Sequence, residues 1–331
     1  MHTLYLADNG LQLKKISNRI LVKKDGSVLR EIPVLDLKRI IIFGNNQLST
    51  QLMRFLSGKG IEVAFLSSVG RFKFRVVPET SKNIYLRMAQ HDCYRDRSFR
   101  VEFSRKIVGA KIRNQRSLII RYQRNQPEVD LEKHLDTLKK LTKQLGKKES
   151  LNEILGMEGF GSKTFFEAYG KLILGGFEFV NRNYHPPKDP INALLSFGYM
   201  MLFNELNSLL EAFGFDVYLG FLHSVRYGRA SLANDLMEEL RSPVVDRLVL
   251  YLINIGAIKP SQFVSKGNKG VLMSDIARET FLSNYEKFMT ADFHDAGRKK
   301  QTNYRKIIKE RVLELERLLL HKSEYSPYLF Y

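Results

Sequence analysis

Residues 61–90 have the sequence IEVAFLSSVGRFKFRVVPETSKNIYLRMAQ, and the pattern of apolar residues changes within this stretch. The apolar runs Val63–Leu66 and Phe72–Val77 flank the turn-forming pair Val69-Gly70, an arrangement typical of β-strands. The polar segment Pro78–Asn83 follows, and the pattern beyond it is helical for most of the remaining chain. We therefore predict an α+β fold: a β-rich, β-sandwich-like domain over residues 1–78, a linker over residues 79–90, and a larger all-α domain over residues 91–331.

Short sequence signals place individual strands and helices. Asp25-Gly26 predicts a hairpin turn, because glycine accepts a positive φ at little cost. Ser49 can cap a short helix that Gly58 can end. Other apolar runs predict strands at Leu4–Leu6, Ile20–Val22 and Ile40–Phe43. In the second half we predict helices within residues 84–125 and 130–145, a break at Arg124–Val129, and helices after Asp189-Pro190, Ser231 and Pro243.

The chain is strongly basic. Its 331 residues include 53 Lys and Arg against 35 Asp and Glu, for a formal net charge of +18 at pH 7. Such an excess attracts polyanions, of which nucleic acid is the commonest, although it can also serve solubility alone. Ten of these cations lie between Tyr94 and Asn125 with only two acids among them. This helical run favours a track for DNA phosphates over an ordinary solvated face.

Composition and missing motifs exclude several classes of protein. Cys93 is the single cysteine, which rules out an intramolecular disulfide and a Cys-rich zinc site. We see no signal peptide and no apolar run of the roughly 20 residues that a membrane helix needs, so we expect a soluble, cytoplasmic protein. The motifs G-x-S-x-G, Walker A, H-E-x-x-H and G-x-G-x-x-G are missing as well. A hard-metal site of carboxylates with a histidine remains, which suits Mg²⁺ or Mn²⁺.

His223 differs from the other histidines among the seven in the chain. It ends the apolar run Val217–Leu222 and precedes a turn at Gly228, after which Ser231 is a plausible helix N-cap. A turn that returned His223 over the following helix could bring its imidazole to that helix. A lone histidine beside an acidic helix is more often structural, so both interpretations stay open.

Acidic residues provide the other candidate ligands. Asp235, Glu238 and Glu239 are spaced i, i+3 and i+4, which predicts that their carboxylates share one helix face. Glu158 lies between two glycines in Gly156-Met-Glu-Gly, at a predicted helix start where a backbone or a ligand could approach it. Acids in such positions often only begin helices, where they suit the helix dipole.

Three segments resemble CRISPR-associated protein one, the family of adaptation integrases that insert new spacers into CRISPR arrays. They are Gly156-Met-Glu-Gly with Phe165-Phe166 after it, Asp189–Tyr199, and Gly220–Arg247 with Leu252-Ile253-Asn254 shortly after. The third segment is the most specific, because nearly thirty residues follow the family pattern in register. The resemblance extends into the β-rich start, including Lys59–Val63.

The resemblance implies a metal site in the helical domain. Its ligands would be Glu158, His223 and Glu238, with Asp235 as a second choice for the third ligand, and its cofactor Mg²⁺ or Mn²⁺. Nearby cations are candidates for DNA phosphate contacts, with ordinary surface charge as the alternative: Lys163, Arg226, Arg229 and Arg241. Asn192 and Tyr199 are candidates for supporting the site.

The resemblance also implies a reaction and an assembly. The 3′-OH of a prespacer DNA would attack a phosphodiester of the CRISPR repeat, and with water the same site would act as an endonuclease. Homodimers formed through the β-rich domains would flank a small ferredoxin-like adaptation partner in a heterohexamer on double-stranded DNA. A stand-alone structure-selective nuclease and, less favoured, a non-catalytic nucleic-acid-binding scaffold are the alternatives. The aromatic tail Tyr325–Tyr331 predicts a docking segment.

Overall fold

The structure is a computed structural model that describes residues 2–68, 70, 72–77, 81–183 and 186–331. The predicted turn residue Val69, the last residue of the predicted β-rich domain (Pro78) and the linker residues 79 and 80 lie outside this part of the chain. The N-terminal part is built from the following elements: β1 (His2–Leu6), β2 (Leu11–Ile16), β3 (Arg19–Lys24), β4 (Ser27–Pro33), β5 (Leu37–Phe43), β6 (Gln47–Leu48), α1 (Thr50–Gly58), β7 (Glu62–Leu66) and β8 (Phe72–Val76).

These strands form two sheets of four strands each. In the first sheet the order is β1-β5-β7-β8, with β1, β5 and β7 parallel and β8 antiparallel to β7. The second sheet has the order β4-β3-β2-β6 and contains the predicted hairpin of β3 and β4. Asp25 and Gly26 have φ values of 49° and 81°, as the two central residues of a tight hairpin turn require. The Ser49 hydroxyl accepts a hydrogen bond from Leu52 N and caps α1, as predicted.

The first sheet is buried on both faces. Ile40, Ile42 and Val63 face a smaller core that is shared with the second sheet and α1. The alternate residues Ile41 and Phe43 face the larger core of the helices, because successive side chains of a strand point to opposite faces. This sheet is therefore the wall between the β-rich part and the helical part, and the predicted α+β fold is confirmed.

The helical part follows Asn83, whose side chain caps the first helix. Its helices are α2 (Ile84–Arg95), α3 (Arg97–Gln123), α4 (Glu132–Leu145), α5 (Leu151–Lys171), α6 (Pro190–Phe213), α7 (Ser231–Met237), a π-helical segment (Arg241–Asp246), α8 (Arg247–Asn254), α9 (Asp275–Thr290) and α10 (Tyr304–His321). Two small hairpins pair β9 (Phe263–Ser265) with β10 (Val271–Met273), and β11 (Phe293–Asp295) with β12 (Lys300–Thr302). Helix α2 begins inside the segment predicted as linker, and the domain boundaries stay a prediction.

Two glycines allow the close approaches that bring distant segments together. A Cβ on Gly161 of α5 would lie 3.2 Å from Ile112 Cγ1 of α3, so glycine lets these helices pack tightly. A Cβ on Gly220 would lie 2.7 Å from Asp235 Oδ2, so glycine lets the segment before His223 rest on α7. Within the described residues, no helix combines the length and the apolarity that crossing a bilayer requires.

Candidate active site

A buried lysine joins two of the predicted site residues. Lys111, in the middle of α3, contacts Glu158 Oε1 of α5 and lies 2.7 Å from Glu238 Oε2, directly after α7. The side chains of Lys111 and Glu238 are 7% and 4% exposed, and that of Glu158 is 21% exposed. Glu158 also accepts a hydrogen bond of 2.9 Å from the Ser162 hydroxyl. Two carboxylates from separate helices thus converge on one positive charge.

Electrostatics keep this cluster charged. Burial alone raises the pKa of Glu238, but the charges of Arg241 and Lys111 outweigh it and bring that pKa to about 2. Burial alone lowers the pKa of Lys111, but the charges of Glu238 and Glu158 outweigh it, so the net shift is upward. Arg241 Nε lies 3.1 Å from Glu238 Oε2. Near neutral pH, Glu238 is a carboxylate and Lys111 an ammonium.

His223 is oriented by Asp235. The completely buried Asp235 carboxylate accepts hydrogen bonds from the backbone N–H groups of Phe221, Leu222 and His223 at 2.6, 2.9 and 3.1 Å. His223 Nδ1 lies 2.6 Å from Asp235 Oδ1, so Nδ1 is the nitrogen that donates to this carboxylate. In the neutral ring this leaves Nε2 with a free lone pair. An electrostatic interaction with His223 is also among the causes of the lowered pKa of Glu238, after the larger effects of Arg241 and Lys111.

Two local predictions about the α7 segment were wrong. Asp235, Glu238 and Glu239 do not share a face, because Glu239 turns toward the C-terminal tail and contacts Tyr325 and the Tyr328 backbone. The reason is that α7 ends at Met237 and the chain continues through i→i+3 bonds into the π-helical segment. The helix N-cap is Ala230 rather than Ser231.

Glu158 and its neighbours also differ from the prediction. Glu158 lies inside α5 rather than at its start, and Ser150 caps that helix. The basic run of α3 is only partly a surface. Lys111 is buried, and Arg100 and Arg105 donate to the carbonyl oxygens of Phe221 and Gly146 at 3.2 and 3.0 Å. Lys111 is the site residue that the sequence interpretation missed.

Tyr199 and Asn192 form a supporting layer behind the carboxylates. Arg241 stacks on the Tyr199 ring at 4.7 Å, and the Tyr199 hydroxyl donates to Asp246. The Arg182 guanidinium also lies over the Tyr199 ring, with its Cζ 5.4 Å from the ring centroid, and it donates to Asn192 Oδ1 at 2.8 Å. Asn192 is thus connected to Tyr199 through Arg182, and it also bonds to Asp189 of the α6 N-terminus.

The predicted DNA contacts divide into two groups. Lys163 and Arg226 are exposed and Arg229 is half-buried, and none of the three forms an ion pair within the described residues. Arg241 is ion-paired with Glu238, so its charge is already used inside the site. Compared with Arg241, the side chains of Lys163, Arg226 and Arg229 are therefore better placed to contact a DNA phosphate.

The donor set suits a hard divalent cation. It offers two carboxylates and one imidazole nitrogen, the mixture that Mg²⁺ and especially Mn²⁺ accept. Glu238 Oε2 is buried between two cations, Lys111 Nζ at 2.7 Å and Arg241 Nε at 3.1 Å, so a bound metal ion would share this oxygen with them or displace Lys111. In the part of the chain that the structure describes, no three His, Cys, Asp or Glu side chains stand at ligand spacing from one another. Lys111 lies between the two glutamates and contacts both.

Comparisons with known proteins identify the family of this chain. The family model described as "CRISPR associated protein Cas1" matches residues 4–287. A CRISPR-associated endonuclease Cas1 of Rhodospirillum rubrum is 33% identical over 298 residues, which cover 87% of this chain and 86% of the relative. One from Moorella thermoacetica is 34% identical over 295 residues, with 87% and 86% covered.

Solved structures give the same result. A Cas1 protein from Thermotoga maritima superposes with a TM-score of 0.80 at 26% sequence identity, covering 100% of this chain and 99% of that protein. The match to the Cas1 family model spans both the β-rich part and most of the helices, and it includes Glu158, His223 and Glu238. The chain therefore belongs to the Cas1 family of CRISPR-associated proteins.

Proposed function

We propose that this chain is a divalent-metal-dependent DNA integrase and endonuclease of CRISPR adaptation. The observation that carries the proposal is the convergence of Glu158 and Glu238 on a single buried cation. A histidine whose Nδ1 is held by Asp235 is the further candidate ligand. A buried pair of carboxylates is stable only with a compensating charge. Here that charge is Lys111, and a bound Mg²⁺ or Mn²⁺ would supply a stronger one.

Three side chains would hold the metal. Glu158 and Glu238 would provide carboxylate oxygens and His223 would provide Nε2. Asp235 is less suited to be the third ligand, because its oxygens already accept three backbone N–H groups and the imidazole. Its expected role is to fix the ring and the tautomer, as hydrogen-bond partners of metal-binding histidines do. Bound there, the metal would stabilise charge on a phosphate oxygen and orient the attacking hydroxyl.

The protein's own groups would bind and position the DNA. Lys163, Arg226 and Arg229 would contact the phosphates of the target strand, which fixes the register of the duplex without selecting its sequence. Arg241 would keep Glu238 ionised, and Tyr199 would hold Arg241 in place through ring stacking. With a prespacer 3′-OH as the nucleophile, its oxygen would form a new P–O bond while a P–O bond of the repeat strand breaks and leaves as a hydroxyl end, so one strand is joined. With water as the nucleophile the same P–O bond would break and the strand would only be cut.

The partners follow from the same proposal. We expect a homodimer through the β-rich domain and a heterohexamer with a small ferredoxin-like adaptation partner. The edge strand β4 exposes Val28 and Leu29 at 55% and 53%, and Leu35 just after it is 90% exposed. Exposed apolar side chains along an open sheet edge are typical of an interface. Sedimentation of the chain with and without Leu29→Asp tests this, because a dimer through this edge dissociates when the charge is introduced.

A strand-transfer assay tests the function. The substrates are an oligonucleotide with a 3′-OH and a supercoiled plasmid that carries a repeat, with Mn²⁺ present. We expect joined product from the natural chain and none from Glu158→Ala. Glu167→Ala is the matched control, because Glu167 is on the same helix, is half-exposed and lies away from Lys111. Cutting without joining would favour the stand-alone nuclease, and full activity of Glu158→Ala would leave only the scaffold.

A further inference from the structure

A second basic site lies beside the C-terminal end of α3. A cavity of about 720 Å³ opens between this end, α8 and α9. Its lining includes Arg121, Arg247 and Lys287, and no aspartate or glutamate is among the lining residues that the structure describes. Lys111 and Arg121 are ten residues apart on α3, about 15 Å along the helix axis, so this cavity is separate from the carboxylate cluster.

The three cations of this cavity have no acidic partners in the described ranges of the chain. None of Arg121, Arg247 and Lys287 forms an ion pair with a carboxylate there. Burial lowers the pKa of Arg121, and the neighbouring charge of Arg247 lowers it further. Like charges held together without a counter-ion raise the energy of the free protein, and an anionic ligand relieves that repulsion.

The C-terminal tail holds the two guanidinium groups in place. Phe330 lies under both, with its ring centroid 5.5 Å from Arg121 Cζ and 5.1 Å from Arg247 Cζ. Arg247 also stacks on Phe288 at 5.0 Å and donates to the Tyr304 hydroxyl at 3.2 Å. The tail is itself fixed, because Phe330 N donates to Asn114 Oδ1 at 2.8 Å. The two guanidinium groups of the cavity are thus already positioned, which lowers the entropy lost on binding.

The lining selects the kind of anion. Paired guanidinium groups match the oxygens of a phosphate, and Asn125 adds an amide group that can meet a base edge. Tyr251, at the rim, is 45% exposed and offers a ring for stacking. The volume is that of a small-ligand pocket and is too small for a duplex.

We propose that this cavity is a second nucleic-acid subsite, which binds a nucleotide of an unpaired DNA strand through its phosphate. The proposal rests on the proposed function, because it assumes that DNA is the substrate of this chain. A DNA strand bound at the carboxylate cluster would have to extend about 15 Å along α3 to reach this subsite.

Fluorescence anisotropy with a labelled short single strand and with a blunt duplex tests the subsite. EDTA is present throughout, so the readout is independent of metal chemistry and the two proposals fail separately. Arg121→Gln and Lys287→Gln are expected to weaken single-strand binding about fivefold or more and to lower the salt slope by about 0.7 for each lost contact. Lys140→Gln is the control, because it removes the same charge from an exposed position of α4.

A second variant separates the cavity from the surface charge. Ala291→Trp keeps every cation but fills the cavity that Ala291 lines, and it should weaken single-strand binding while leaving duplex binding unchanged. Thermal melting confirms that each variant is folded. The proposal is overturned if Arg121→Gln and Lys287→Gln bind the single strand as Lys140→Gln does. It is equally overturned if single-strand and duplex binding fall by the same factor, since the cations would then be a general phosphate surface.

Discussion

Replacing Lys111 with methionine should make the stability of the protein depend on divalent metal. Methionine has similar volume but no charge, so Glu158 and Glu238 would face each other without the ammonium that lies 2.7 Å from Glu238 Oε2. Removing one partner of a buried ion pair destabilises a protein by about 3–5 kcal/mol. For a chain of this size that corresponds to a fall in Tm of at least about 5 °C in EDTA.

Added Mn²⁺ should reverse most of this loss. A ligand that binds only the folded state stabilises it in proportion to the logarithm of its concentration over Kd. Without Lys111 the metal no longer competes with an internal cation, so its Kd should fall and its stabilising effect should exceed that on the natural chain. The assay is differential scanning fluorimetry with EDTA and with a Mn²⁺ series, and Lys140→Met is the matched control. Equal Mn²⁺-induced shifts in Lys111→Met and in the natural chain would refute this reasoning.

Three further predictions concern the same region. The pKa of Glu238 is lowered from 4.5 to about 2, so its stabilising charge is fully present above about pH 4.5 and is lost as the pH falls toward 2. Glu238→Gln should remove about 3 kcal/mol of this pH dependence of the free energy of unfolding, measured by urea unfolding between these pH values. Asp235→Asn should weaken Mn²⁺ binding about 10- to 100-fold in calorimetry, because His223 loses the carboxylate that fixes its tautomer, whereas an unchanged affinity would exclude that role. Tyr325→Phe removes the hydroxyl that donates to the buried Glu239 and should lower the free energy of unfolding by about 1–3 kcal/mol, checked by chemical denaturation.

Much of the fold could be predicted from periodicity. The strands Ile40–Phe43 and Val63–Leu66 are apolar runs because they are buried on both faces, and that pattern is visible in one dimension. The strand β2 (Leu11–Ile16) was missed, because only its first residues are buried and the rest is exposed. The break at Asp96 was missed as well, since this residue caps α3 by bonding to Ser98 N and Phe99 N within a continuous helical pattern.

The site was harder to predict, since its contacts are between distant segments. Lys111 lay in a basic run that favoured a surface, yet it follows Ile107 by four residues and precedes Gln115 by four, and both are buried. This spacing was the available signal for a buried lysine. Glu238 contacts Lys111, Asp235 contacts His223, and Glu239 contacts the tail. These separate directions depend on where α7 ends, which helical spacing alone does not reveal.

The aromatic tail docks on its own chain rather than on another molecule. Its composition predicted a docking segment, and Tyr325, Tyr328 and Phe330 are indeed buried, but within the chain itself. Asn114 and Glu239 receive the tail by bonding to its backbone. The tail therefore braces α3 and the segment after α7, the two elements that provide Lys111 and Glu238.

Anomalous diffraction from a crystal soaked in Mn²⁺ tests the central claim most directly. The account predicts one strong peak at the position of the Lys111 ammonium group, bound by Glu158, Glu238 and His223 Nε2, with Asp235 still on His223 Nδ1 and Lys111 moved aside. No peak near Glu158 and Glu238, or a peak bound by Asp235 instead of Glu238, would contradict it.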